Sequence, residues 1–255
     1  MIGLWRLTMW GRMPWVVVLL VFIVIDGRGQ TAVKKRLVVG ARIPLTQAAN
    51  GVKGELQILK DARITAAITK QEWKTGEFVG EGEYGFAGFK EVPARNALIR
   101  VVDRNGRVVD SEDLERPLAR VGAVHLYPNA MATYLLTVDY SAGFGSYSGP
   151  ITYLVEVAGG HLHWVESADA QGKHAKISVM NSLKTAWKIV GAGSGGKEIL
   201  QAACRPTNAT MKTGDDFTTT YSRYFFDGVQ WRVVSRTLPG FTEFEDGFPS
   251  RLHFP

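Results

Sequence analysis

Residues 151–165, ITYLVEVAGGHLHWV, decide how this chain folds. Gly159-Gly160 separates two runs in which apolar and polar side chains alternate, the pattern of a hairpin closed by a two-residue turn. Such a turn pairs Val157 with Leu162 and Val155 with Trp164, so all four share one side. Glu156 then faces His163 on the other side. A slip of one residue would turn every apolar group outward, so the turn chemistry and the apolar face support one register.

The same reading extends outward in both directions. Around Asp227-Gly228 a second hairpin, Ser222 to Val233, places Tyr224 and Phe226 on the side of Val229, Trp231 and Val233, with Arg223, Phe225, Gln230 and Arg232 opposite. A third turn at Asn105-Gly106 lies within Leu98 to Val109, where Val101 and Val102 point to opposite sides. Tyr134, Leu136, Val138 and Tyr140 alternate with Thr133, Leu135, Thr137 and Asp139, the mark of a strand with one buried face. Asp110-Ser-Glu-Asp-Leu114 has the composition of a helix start, with Pro117 to cut the helix short. Upstream, Leu37-Val38-Val39 and Glu55 to Thr69 read as strands, and Gly76 to Gly88 is a glycine-rich stretch with aromatics between the glycines. These features predict a mainly β protein, an antiparallel sandwich or partly closed barrel built from hairpins.

Three parts are expected: residues 1–29, a β-rich region 30–95 that is either separate or the first strands of one domain, and an antiparallel β domain 96–255. The first has Arg6 and Arg12 before an apolar run from Trp15 to Ile25, then Gly27 and Gly29. A basic start, an apolar centre of about 7–15 residues and a small-residue exit describe a secretory signal, with Gly29/Gln30 the preferred cut. Arg28 and Lys34-Lys35-Arg36 beyond the run give the alternative, an anchor that tethers the chain through residues 15–25. Both readings place the remainder outside the cytoplasm, periplasmic or extracellular.

The chain has 30 basic and 24 acidic residues, a formal charge of +6, and past residue 29 the count is 27 against 23. That mild excess, with acids mixed among the bases, argues against a nucleic-acid face. Lys34-Lys35-Arg36 is the one basic cluster, suited to an anionic membrane surface. A single cysteine, Cys204, excludes an intrachain disulfide, and Ala203-Cys204-Arg205-Pro206 offers it no histidine. It reads as a buried apolar residue.

Several motifs invite chemistry. Gly191-Ala-Gly-Ser-Gly-Gly196 has the spacing GxGxxG, but only nine residues separate it from Pro206, too few for the helix that a dinucleotide turn requires, so a hairpin loop is expected. Gly145 to Gly149 places Tyr147 where a nucleophile elbow needs serine. The segment Tyr140 to Gly149 is instead a loop whose Tyr140, Phe144 and Tyr147 are candidate ligand contacts. His161 and His163 share one side of a strand opposite Glu156, a candidate metal set. Asn208-Ala-Thr210 fits a glycosylation acceptor. No cofactor motif is present. The expected function is a non-catalytic envelope or extracellular module that binds a glycan, peptide or protein partner; the alternative is a small exported hydrolase or metal-dependent enzyme using His161, His163 and Glu156.

Overall fold

A computed structural model describes residues 37–64, 94–126, 132–140, 149–192, 196–207, 216–244 and 247–255. The first sheet contains β1 (Leu37–Leu45), β2 (Gly54–Asp61), β3 (Leu98–Asp103) and β4 (Val108–Asp113), in that order. The second contains β5 (Ala119–Val124), β6 (Thr133–Asp139), β7 (Pro150–Ala158), β8 (His161–Trp164) and β11 (Ser178–Met180). Its order is β11-β7-β6-β5, and β8 also pairs with β7. The third contains β9 (Glu166–Ala168), β10 (His174–Lys176), β12 (Thr185–Gly191), β13 (Lys197–Pro206), β14 (Phe217–Phe226) and β15 (Trp231–Pro239), ordered β10-β9-β15-β14-β13-β12. All ladders are antiparallel except the two-residue β15/β9 pair. The protein is thus mainly antiparallel β and sandwich-like, with no closed barrel among the described residues.

The second sheet is the middle layer. Tyr134, Leu136 and Val138 of β6 and Val155 and Val157 of β7 pack with Leu56, Ile58, Ile99 and Val101 of the first sheet. Leu135 of β6 and Leu154 of β7 point the other way, to Ile199, Trp231, Tyr224 and Ile189 of the third. The expectation of one buried face for the Tyr134 strand is therefore corrected, since Thr133, Thr137 and Asp139 are buried as well. Period-2 polarity suggested solvent, but threonine hydroxyls pair internally: Thr137 and Thr152 are 2.9 Å apart across β6 and β7.

The β7/β8 hairpin has the register expected of it, Val155↔Trp164, Glu156↔His163 and Val157↔Leu162. Gly159 and Gly160 have φ of 60° and 86°, left-handed values that glycine adopts at no steric cost in a two-residue hairpin turn. Against it lies α1 (Gln47–Asn50), one helical turn capped by Thr46 and ended by Gly51. A Cβ on Gly51 would come within 2.8 Å of the Gly159 nitrogen. Buried Asn50 joins the first two sheets there, donating to the Tyr134 hydroxyl at 3.0 Å and the Val157 carbonyl at 3.3 Å.

Two other expectations are corrected. Asp110 to Asp113 belongs to strand β4, with no helix, because its acids have long-range partners. Asp110 accepts from the Leu162 backbone N–H at 2.9 Å and Glu112 from the Trp164 indole at 3.0 Å. Asp110 thus takes up a backbone donor of β8, and Glu112 fixes the Trp164 ring beside it. The β14/β15 connection is a four-residue loop, with Phe226↔Trp231 closing the ladder. Its parity is that of the expected two-residue turn, so Tyr224, Phe226, Trp231 and Val233 still share a side. The Asn105-Gly106 hairpin forms with an irregularity between Val101 and Val102, and both valines are buried. The β2/β3 ladder runs across residue 95, from Leu59↔Leu98 to Gly54↔Asp103.

The third sheet is covered on its outer side by the C-terminal residues. Phe244, Phe248 and Phe254 pack on Leu200, Ala202 and Tyr221. Buried Lys184 bonds Glu243 and lies 3.3 Å from the ring centre of Phe241. The Thr242 backbone N–H donates to Cys204 Sγ at 3.4 Å, and Cys204 is buried.

Leu136 is fully buried in the middle sheet. Leu136→Ala should cost about 2–5 kcal/mol in chemical denaturation, whereas Leu252→Ala on the surface should change stability by less than about 0.5 kcal/mol. A second expectation concerns Asp61, fully buried at the end of β2. Burial alone would raise its pKa, but Arg63 at 2.7 Å and the backbone N–H groups of Arg63 and Arg95 hold it down at about 2. Its contribution, about 2 kcal/mol, is present above the unfolded value of 3.8 and is lost as pH falls through 2. Unfolding midpoints measured between pH 5 and pH 2 should fall more steeply in the parent than in Asp61→Asn; parallel curves would refute this assignment.

Candidate binding cleft

The β13/β14 ladder stops at Ile199↔Tyr224, yet β13 stays paired with β12 as far as Gly191↔Lys197, and β14 with β15 as far as Phe226↔Trp231. The two hairpins therefore part at their tips. The Lys197 N–H is turned aside to the Leu126 carbonyl, 2.9 Å away at the end of β5. Between the tips and the edge of the middle sheet lies an open cleft of about 820 Å³.

Its far wall is the Asp227 turn. The Asp227 carboxylate accepts from the backbone N–H groups of Val229 and Gln230, both at 2.9 Å, and from Arg232 Nε at 2.8 Å. The Arg232 bond, with these backbone donors, brings its pKa down to about 2. The turn carries Val229, 86% exposed, and Phe226, 39% exposed, while Trp231 beneath them is buried. Trp164 adds an aromatic edge on the other side, with Lys176 Nζ 4.2 Å from its ring centre.

The near wall is ionic. Glu198 is 4% exposed and bonds two guanidinium groups, Arg223 at 2.6 Å and Arg251 at 2.8 Å. Two cations offset the cost of burying one carboxylate, and Arg251 thereby ties the C-terminal 3-10 turn (Arg251–His253) to β13. Arg223 also lies over the Phe225 ring at 4.5 Å. Lys197, Glu156 and Glu166 complete the charged lining.

The candidate metal residues are only partly brought together. Glu156 and His163 face each other across the hairpin and Glu156 reaches the cleft. His161 pairs with Ala158 in the ladder, and its Nδ1 is 3.6 Å from Asp110 Oδ2. Among the described residues no three His, Cys, Asp or Glu side chains converge on a metal-sized space. Of the candidate ligand contacts, Tyr140 packs against the core between the first two sheets, under Arg116 at 5.5 Å, while Phe144 and Tyr147 lie outside the described residues. Burial, together with the neighbouring Tyr140, pushes the Tyr153 hydroxyl up to about 12. Strands β12 and β13, on either side of the Gly191 to Gly196 stretch, pair as far as Gly191↔Lys197, with Ala192 N–H donating to the Gly196 carbonyl at 2.8 Å. The flanking strands are antiparallel, as in a hairpin and not a dinucleotide-binding turn; residues 193–195 lie outside the described residues.

Sequence reasoning did not find Glu198, Arg223, Arg251 or Phe226 as one group. The available signals were a lone carboxylate opening the apolar strand Ile199 to Cys204, and a tail with four phenylalanines between 241 and 255. Among the described residues no helix is long and apolar enough to cross a membrane. No protein-family model, no curated protein and no solved structure matches this chain.

Glu198→Gln should leave two arginines facing a neutral amide, with a loss of about 1.5–3 kcal/mol. Limited proteolysis should then release the C-terminal residues sooner than in the parent, and an unchanged cleavage pattern would refute the latch.

Proposed function

We propose that this protein is an exported, non-catalytic binding module whose ligand enters the cleft between the middle and third sheets. The observation that carries the reading is the cleft itself: exposed Phe226 supplies apolar surface beside paired charges and Lys197. Concave sites of this make-up, a few apolar faces with placed polar groups, are the usual form of a ligand pocket. Export is supported by the basic start and apolar run of residues 1–29. A binding role is favoured over hydrolysis because two of the acids at the cleft are tied to guanidinium groups, Glu198 to two arginines and Asp227 to Arg232. General acid catalysis needs a carboxyl that keeps its proton near the working pH, and Asp227, held at about 2, is the reverse.

Glycans and peptides are both within the scope of such a site. Titration of the full chain with oligosaccharide and peptide panels should change tryptophan emission, since Trp164 and Trp231 line the cleft. Phe226→Ala should weaken the best ligand about tenfold or more with little change in melting temperature. Flat titrations across both panels, or turnover of a bound ligand, would defeat the proposal.

A further inference from the structure

We infer that β5 is an association edge, on which a second copy of this chain pairs its own β5 antiparallel and carries the middle sheet through a two-fold axis. The starting point is which backbone groups of that sheet have no partner. Asp139 N–H donates to the Leu118 carbonyl at 3.1 Å, in step with the register Ala119↔Val138. Bonded positions alternate along an antiparallel ladder, so Arg120, Gly122 and Val124 bond β6, while Ala119, Val121 and Ala123 turn both N–H and C=O away from it. No hydrogen bond among the described residues takes those outward groups. The edge is nevertheless held in place, since the Ala119 and Val121 side chains pack on the core between the first two sheets.

Other sheet edges among the described residues carry the devices that keep strand edges from pairing. β1 has an irregularity between Val39 and Ala41 and presents exposed Arg42 and Pro44. β4 turns Asp110 and Glu112 to β8, and β10 and β11 are only three residues long. β12 is engaged over its first half, where Thr185 exchanges backbone bonds with Ser182 and the Trp187 N–H goes to Asn181 Oδ1 at 3.4 Å. By contrast β5 has six residues, no proline and no acid, and Gly122 and Ala123 are exposed. The partner that fits is the edge itself. With the axis at Val121, that residue meets Val121 of the partner subunit and Ala119 meets Ala123 of the partner subunit, so every outward group is bonded. Exposed Arg120 then lies opposite Gly122 of the partner subunit, where no described atom stands within 4 Å of the place of a Cβ. An axis at Arg120 would set two guanidinium groups against each other, an unfavourable like-charge pair. An axis at Gly122 would set Ala119 against His125, beyond the end of the strand. Charge and space therefore select one register. A single six-residue edge falls below a standard interface of about 1,200–2,000 Å², so the dimer depends on concentration.

Sedimentation of the full chain from about 1 µM to about 1 mM should show a monomer–dimer equilibrium, and hydrogen exchange should find the Val121 and Ala123 amides protected only at the upper end. Ala123→Pro removes an outward N–H where an edge strand tolerates proline, and should weaken the dimer about tenfold or more. Gly122→Lys, set against Arg120 of the partner subunit, should also weaken it, whereas Gly122→Glu should strengthen it, neither lowering the melting temperature. The two Gly122 variants decide the matter if the proline variant is less stable. A chain that stays monomeric throughout would overturn the proposal. So would association that leaves the β5 amides exchanging as they do in dilute solution, or a dimer that responds alike to lysine and glutamate at position 122.

Discussion

Burial of the middle sheet on both faces is the constraint from which the rest of the architecture follows. Strands β6 and β7 must serve two cores at once, Tyr134, Leu136, Val155 and Val157 to one side and Leu135 and Leu154 to the other. Each fully buried side chain of this size is worth about 1.5–3 kcal/mol, so a register slip would forfeit contributions on both sides together. The polar residues of these strands have no water to fall back on. That is why Thr137 and Thr152 bond each other, and why Asn50 spends its amide on the Tyr134 hydroxyl and the Val157 carbonyl. The glycines at 51, 159 and 160 belong to the same constraint: the α1 corner closes on the β7/β8 turn at a distance that no side chain could share.

Local chemistry explains what could be read from sequence and what could not. The β7/β8 register was readable because turn type and apolar parity agreed over residues 151–165, with no distant residue needed. The β14/β15 pair kept its faces but not its loop, because Asp227 reaches two backbone N–H groups beyond it and so stabilises a four-residue connection. Asp110 and Glu112 misled for the opposite reason. In sequence they resemble the acidic first turn of a helix, and their true partners, Leu162 N–H and the Trp164 indole, lie 52 residues away. No local pattern carries that information. The cleft was hidden in the same way, since it exists only where one ladder ends while its two neighbours continue.

The outer face of the third sheet shows how a chain without disulfides secures its last residues. Apolar packing by Phe244, Phe248 and Phe254 is reinforced at each end by a buried ionic contact, Lys184 with Glu243 and Glu198 with Arg251. Ion pairs of this kind add little to stability by comparison with an apolar replacement, but they are costly to break singly. They therefore favour one docked position of the tail over neighbouring ones, where an apolar surface alone would tolerate sliding.

Glu198 connects that docking to the cleft. Its two oxygens go to different parts of the molecule, Oε1 to Arg223 at the cleft and Oε2 to Arg251 in the tail. With one carboxylate between two guanidinium groups, the local balance is one positive charge in excess, and the excess is least compensated at Arg223, whose Nε has no hydrogen-bond partner. The tail thus does more than cover a sheet. By holding Arg251 against Glu198 it takes up part of the charge that would otherwise serve Arg223 alone. An ionic wall of this kind needs no charge cluster in the sequence. It arises from the sharing of one buried acid between a strand interior and a chain end 53 residues further on.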